Sequence, residues 1–189
     1  MPGIIPQTKH KYFRYHEWYV IDGIDGIGKS TQLNLLEQHF YTQRYKVIKT
    51  RALGGEAGSE GEKLRNFIFS NTFTKEVEEP LIATASWINI NSMVKAVVDH
   101  GYPFHNKRSV CVLQDRGLLT HLAYSQARGF TRVAALDIYD SVIANYKQLN
   151  VKNIVLLPAD IRVIFDRVRK RGELSDFHEK YENEAMQHE

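Results

Sequence analysis

Short apolar runs bounded by polar or turn residues punctuate the chain. EWYVID (17–22), VCVLQD (110–115) and NIVLLP (153–158) read as buried strands, and KVIKTR (46–51) as a fourth, weaker one. Helical patterns fill the intervals. STQLNLLEQHF (30–40) puts Leu33, Leu36 and Phe40 on one face, and EKLRNFIF continues the theme from Glu62. A stretch from about Glu76 to His100 has helical length, with Pro80 tolerable near its start. LDIYDSVIANYKQL (136–149) precedes the last strand and DIRVIFDRVRKR (160–171) follows it. Strands alternating with helices specify a parallel sheet covered on both faces. No repeat, low-complexity tract or linker interrupts this order, so residues 16–189 read as a single domain behind a flexible lead-in, residues 1–15.

Composition narrows the class. A chain of 189 residues with 43% hydrophobic and 25% charged content suits one well-cored soluble domain. No run approaches the roughly 18 consecutive apolar residues of a membrane span. A net charge of +3 is too mild to argue for nucleic acid, and the lone Cys111 sits in an apolar run where it reads as a small buried hydrophobe. That usage fits a reducing, cytoplasmic setting. The eight histidines show no metal-ligand spacing.

The chemistry begins where the first strand ends. GIDGIGKS (23–30) fits the pattern G-x-x-x-x-G-K-S/T between a strand and an amphipathic helix. Gly23, Gly26 and Gly28 let the backbone curl so that successive N–H groups, including those near Asp25 and Thr31, point at phosphate oxygens. The helix N-terminus adds positive potential. Lys29 neutralises the β- and γ-phosphates of ATP, and the Ser30 hydroxyl suits Mg²⁺. A second metal-side group is expected at the carboxyl end of a neighbouring strand, where ligands bind in open parallel sheets; Asp115 ends VCVLQD there, with Arg116 beside it.

GIDGIGKSTQ (23–32), RALGG (51–55), DRGLLTHLAYSQAR (115–128) and RKRGELSDFHEKYEN (169–183), taken together, resemble the thymidylate kinase family. The resemblance runs from about Glu17 to the last residue. It implies a P-loop, three-layer α/β/α fold with a mostly parallel central sheet and a helical lid over about residues 170–182. It also implies transfer of the ATP γ-phosphoryl to thymidine monophosphate with Mg²⁺, commonly by a homodimer. Residue by residue, Asp25 matches the acid bonded to the sugar 3′-hydroxyl, and Arg51 and Arg116 match the arginines that hold the acceptor phosphate. Tyr124 falls beside the deoxyribose, and Thr120 and His121 fall near the base edge. Because Gly26 occupies the P-loop position where some members carry the catalytic arginine, the cation is expected from the lid. Arg167 and Arg171 are the candidates in the basic run with Arg169 and Lys170, and Lys180 is a further one.

The match breaks at the base. Members carry a stacking phenylalanine and a base-reading arginine in a segment like L-L-F-x-A-x-R, whereas PLIATASW (80–87) offers Ile82 and Ser86. Trp87 reads as core packing with stacking as the alternative, and Asn89 or Asn91 could hydrogen-bond. R-E-P-G-G has become RALGG, and the tyrosine after D-R is Gly117, which is expected to open space or add freedom near the acceptor phosphate. The chain stops at Glu189, where family members continue through another strand and helix. The rival readings are a kinase for another deoxynucleotide, such as a uridylate or a modified pyrimidine, and a nucleotide-binding module with little turnover.

Overall fold

β1 (His16–Asp22), β2 (Lys46–Arg51), β3 (Val110–Asp115) and β4 (Lys152–Val155) form one sheet in the order β2-β3-β1-β4, with every pair parallel. These are the four expected strands, except that the last ends at Val155 rather than continuing to 158. The structure, a computed structural model, describes residues 16–55, 58–101, 109–149, 151–157, 160, 162–164 and 167. The N-terminal 15 residues, Arg169, Lys170, Arg171, Lys180 and the expected lid at 170–182 lie outside them.

Alternation along the strands sorts side chains to two faces. On one face Ile21, Val47, Cys111 and Leu113 pack with Leu33 and Phe40 of α1 (Lys29–Thr42). On the other, Trp18, Val20, Ile48, Val110 and Val112 pack against Ile68 of α2 (Glu60–Phe69) and against α3 (Lys75–Gly101). Each such fully buried aliphatic side chain contributes roughly 1.5–3 kcal/mol. Two covered faces make the three layers that strand–helix alternation required.

α3 supplies Ile82, Ala85, Ile90, Met93 and Val97 to the larger core, and Trp87 packs at its margin. By length and composition its segment Lys75–Asp99 could cross a membrane, contrary to the sequence reading that no such stretch exists; half of the apolar window is buried inside the protein. Pro80 leaves one carbonyl of the first turn unbonded, but Pro80 and Glu76 both face water, where hydration replaces that bond.

The chain after β3 departs from its local pattern. DRGLLTHLAYSQAR contains α4 (Leu118–Ala127), and the single periodic stretch 136–149 spans two helices, α5 (Arg132–Ile138) and α6 (Asp140–Leu149). They meet at Tyr139, fully buried, whose hydroxyl donates to Glu79 at 2.8 Å. Glu79 also accepts from Arg128, at 2.8 Å, and from Ser125, so a buried carboxylate is matched by a cation and two hydroxyls.

Candidate active site

Register brings the functional strand ends into one row. Asp115 is the partner of both Ile21 and Arg51 across the sheet, so β1, β2 and β3 finish side by side. Beyond β1 the loop turns through left-handed backbone at Gly26 (φ 77°) and Gly28 (φ 106°). Gly28 sits where α1 begins, with no side-chain cap and no acidic residue in the first turn. The helix's first N–H groups and its positive end are thus left for an anion. A Cβ on Gly28 would meet nothing within 4 Å, so it is the conformation that requires glycine there, above open space.

Lys29 is buried and folds back over the loop. Its Nζ donates to the carbonyls of Gly23 and Ile24, both at 3.0 Å, and to Asp25 Oδ1 at 3.2 Å. Burial, then the nearby Arg116 guanidinium, lowers its pKa against the pull of Asp25 and Asp115. The same oxygen of Asp25 pairs with Arg116. Two cations therefore share one carboxylate.

Arg116 adopts left-handed backbone (φ 63°), which costs a non-glycine residue of order 1–3 kcal/mol. Three contacts hold it there. Its N–H donates to Ile21 at 2.9 Å, its carbonyl accepts from Gln114 Nε2 at 3.0 Å, and its guanidinium lies 5.9 Å from the Tyr124 ring centroid. Asp115, next to it, has Oδ1 buried without a hydrogen-bond partner among the described residues. Burial raises the Asp115 pKa, while Lys29, Arg116 and Arg51 oppose the rise. Ser30 and Thr31 are exposed on the first turn of α1.

On the acceptor side, Arg51 ends β2 exposed, but its backbone is clamped from α3. Asn89 Nδ2 donates to the Arg51 carbonyl at 2.7 Å, and Asn89 Oδ1 accepts from the Thr50 hydroxyl at 3.1 Å. Asn91 is bonded instead to the Trp87 carbonyl of its own helix, at 2.7 Å. Thr120 and His121 are both buried on α4. The Thr120 N–H and hydroxyl donate to Asp22 Oδ1, which also accepts from Gly117 N–H at 2.8 Å, so Asp22 caps α4 from the end of β1. His121 stacks on Tyr139, with ring centroids 5.5 Å apart, and its Nε2 lies 3.0 Å from Ser86 Oγ. Burial, and secondarily Arg116, pushes its pKa down to about 4. Ile82 is buried in the core beside this pair.

Gly117 corrects one expectation. It opens no space: a Cβ there would stand 2.5 Å from Val20 Cγ1 and 3.3 Å from the Tyr146 hydroxyl, because α4 closes directly onto β1. Of the basic residues after β4, Arg162 and Arg167 are described: Arg162 pairs with Asp160 at 2.9 Å, and Arg167 is helical and exposed. Sequence reasoning passed over Asp22 and Gln114, and offered Asn89 only as a hydrogen-bonding candidate for the base, not as the clamp on Arg51. Each acts on a partner distant in the chain or on a backbone carbonyl, and none belongs to a local motif.

A parallel sheet whose first strand enters a glycine loop and an uncapped helix, with cations converging from the adjacent strand ends, defines a P-loop phosphotransferase. The comparisons narrow that class. The family model for thymidylate kinase matches residues 21–189, and the chain belongs to that family. It is 30% identical over 168 residues to the thymidylate kinase of Thermosipho melanesiensis, covering 84% of this chain and 77% of that one. To the probable thymidylate kinase of Thermococcus kodakarensis it is 27% identical over 175 residues, covering 86% and 76%. The crystal structure of thymidylate kinase from Ehrlichia chaffeensis shares the fold, with a TM-score of 0.55 at 21% identity over 87% of each chain.

Proposed function

We propose that the chain transfers the γ-phosphoryl group of ATP to thymidine monophosphate, and that the strand-end row is where this occurs. The observation that carries the reading is the meeting of Lys29, Asp25 and Arg116 on the glycine loop, in a chain of this family. A phosphate oxygen of the acceptor attacks Pγ in line; the new P–O bond forms as the bond to the β-bridging oxygen breaks, leaving ADP and the nucleoside diphosphate. No enzyme-bound covalent intermediate is needed. The protein's work is positioning and charge neutralisation.

In this reading the loop N–H groups from Gly23 to Thr31 cradle the donor phosphates, and Lys29 leaves its loop carbonyls for their oxygens. Arg51 and Arg116 grip the acceptor phosphate, each through a planar fork. Asp25, released from Arg116, accepts the sugar hydroxyl, and Tyr124, against the Arg116 guanidinium, lies where a 2′-hydroxyl would clash. Thr120 and His121, buried on α4 and engaged with Asp22 and Ser86, would form the wall behind the base rather than contact it from an open face. Arg167 and Arg171 supply the lid cation.

The donor set fits a hard divalent cation. The unpartnered, buried Asp115 Oδ1, acting through water, and the exposed Ser30 hydroxyl would hold Mg²⁺, which when bound neutralises charge on the β- and γ-phosphates. A homodimer and a cytoplasmic location complete the reading. The resemblance supports the first, and the free, buried Cys111 fits the second. A second reading, phosphorylation of another pyrimidine deoxynucleotide, draws on Ile82 and Ser86, which offer the base neither an aromatic face nor a cation.

ADP release against a panel of nucleoside and deoxynucleoside monophosphates tests this. Thymidylate should be turned over fastest; no turnover with any acceptor would sink the kinase reading. Equal turnover of a ribonucleotide and its deoxy form would remove the role given to Tyr124.

A further inference from the structure

Arg65, on the outer part of α2, belongs to none of the motifs above, yet it is built into the turn that follows Arg51. Gly54 has left-handed backbone (φ 105°), and a Cβ there would stand 2.7 Å from Arg65 Cδ. The arginine stem therefore lies flat on Gly54. The turn is fastened to the same helix twice more. Ser59, the N-cap of α2, donates its hydroxyl to the Gly54 carbonyl at 2.8 Å, and Gly61 passes so close that a Cβ would meet that carbonyl oxygen at 3.1 Å. At its far end the Arg65 guanidinium sits 4.5 Å over the Phe69 ring.

Stem and head group are thus both fixed, and the charge is drawn by Glu62 from beyond ion-pair range. Among the described residues Arg65 makes no hydrogen bond and no ion pair. Glu62, one turn away, has its carboxylate accepting the Gly58 N–H. Burial, and then the neighbouring Arg51, depresses the Arg65 pKa. A half-buried guanidinium held beside a second one, with no carboxylate in ion-pair contact with it among the described residues, is unfavourable for the protein alone. An oxyanion on the turn would satisfy both. Stacking also leaves the N–H edge of the fork pre-organised, which reduces the entropy lost on binding.

We propose that Arg65 is a third acceptor-side cation, which binds the phosphate of the nucleoside monophosphate together with Arg51 over the Gly54–Gly55 turn. This rests on the kinase reading above and adds a phosphate-binding residue to it. Gly54 is then the residue that lets the stem through.

The test compares Arg65→Met, which keeps the stem and loses the charge, with wild type. Calorimetry measures binding of the acceptor turned over best in the panel and of its parent nucleoside, which lacks the phosphate. A loss of tenfold or more for the monophosphate, with nucleoside and ATP affinities unchanged, is the expected result. A smaller loss, or an equal loss for the nucleoside, overturns the assignment and returns Arg65 to packing. Should Arg65→Met fail to fold, Arg65→Gln takes its place under the same criteria. If no monophosphate is turned over, the kinase reading falls separately; the arginine pair is then judged by inorganic phosphate binding with ADP saturating the loop, where an undiminished affinity in the variant overturns it.

Discussion

Replacing Asn89 by alanine removes a side chain that ties α3 to the end of β2 at Arg51. Two hydrogen bonds go with it, to the Arg51 carbonyl at 2.7 Å and from the Thr50 hydroxyl at 3.1 Å. Each is worth about 1 kcal/mol net, and a stranded buried partner costs about 1–3 kcal/mol. Thr50 limits that second cost, because its hydroxyl already lies 3.5 Å from the Arg51 carbonyl and the two orphaned groups can turn to each other. The expected loss is therefore about 2 kcal/mol, which in a chain of this size lowers Tm by about 4–8 °C. The functional effect should exceed the thermal one. Without the clamp the Arg51 guanidinium samples several positions, so acceptor KM should rise about tenfold while ATP KM stays constant. Asn89→Asp separates the two bonds. It keeps the acceptor for Thr50 but sets a carboxylate oxygen against the Arg51 carbonyl, and should raise acceptor KM at least as far. Steady-state kinetics with each substrate varied in turn, beside a thermal melt, decide the matter. A lowered Tm with unchanged acceptor KM would show that Asn89 serves stability alone and would refute the reasoning.

Lys29→Met should leave the fold intact and reduce kcat by about a thousandfold or more, since the β- and γ-phosphates lose their direct cation; a drop below tenfold in a single-turnover assay would exclude that role. Arg116→Ala should act chiefly on acceptor saturation, and an unchanged acceptor KM would count against the clamp. His121 makes stability depend on pH. Its folded pKa of about 4 lies below the ordinary 6.5, so the unfolded chain takes up the proton first as pH falls. The stabilisation is complete above pH 6.5 and drains away toward pH 4, a difference of about 3 kcal/mol at one pKa unit per 1.4 kcal/mol. Urea midpoints at pH 7 and pH 4.5 should diverge for wild type more than for His121→Asn. Equal divergence would remove His121 as the cause.

The strands and the glycine loop were legible because their signals are local. Period-two alternation, a run of glycines before an amphipathic helix and an acid closing an apolar strand each fit within a dozen residues. What escaped depends on partners far apart in the chain. The break between α5 and α6 has no glycine or proline to mark it; it exists because Tyr139 is drawn inward to Glu79, 60 residues earlier. The capping of α4 by Asp22 spans 95 residues to Gly117, and a strand-ending aspartate gives no sign of which helix it will cap. Gly117 was misjudged for the same reason. A small residue reads as added freedom, yet here a neighbouring strand has moved into the room that a side chain would take. Arg65 and Phe69 stand i, i+4 on α2, yet only the path of the turn over Gly54 gives that pair a bearing on Arg51.

The single oxygen of Asp25 shared by Lys29 and Arg116 has a thermodynamic corollary. The resting loop carries its own counter-anion, so whichever ligand arrives first must displace it from one cation. Once displaced from one cation, the carboxylate is left wholly to the other, and the second ligand must compete with it. Donor and acceptor affinities are then linked by the same factor in either order of addition. Neutralising Asp25 should abolish that coupling, in addition to weakening the acceptor through its sugar hydroxyl.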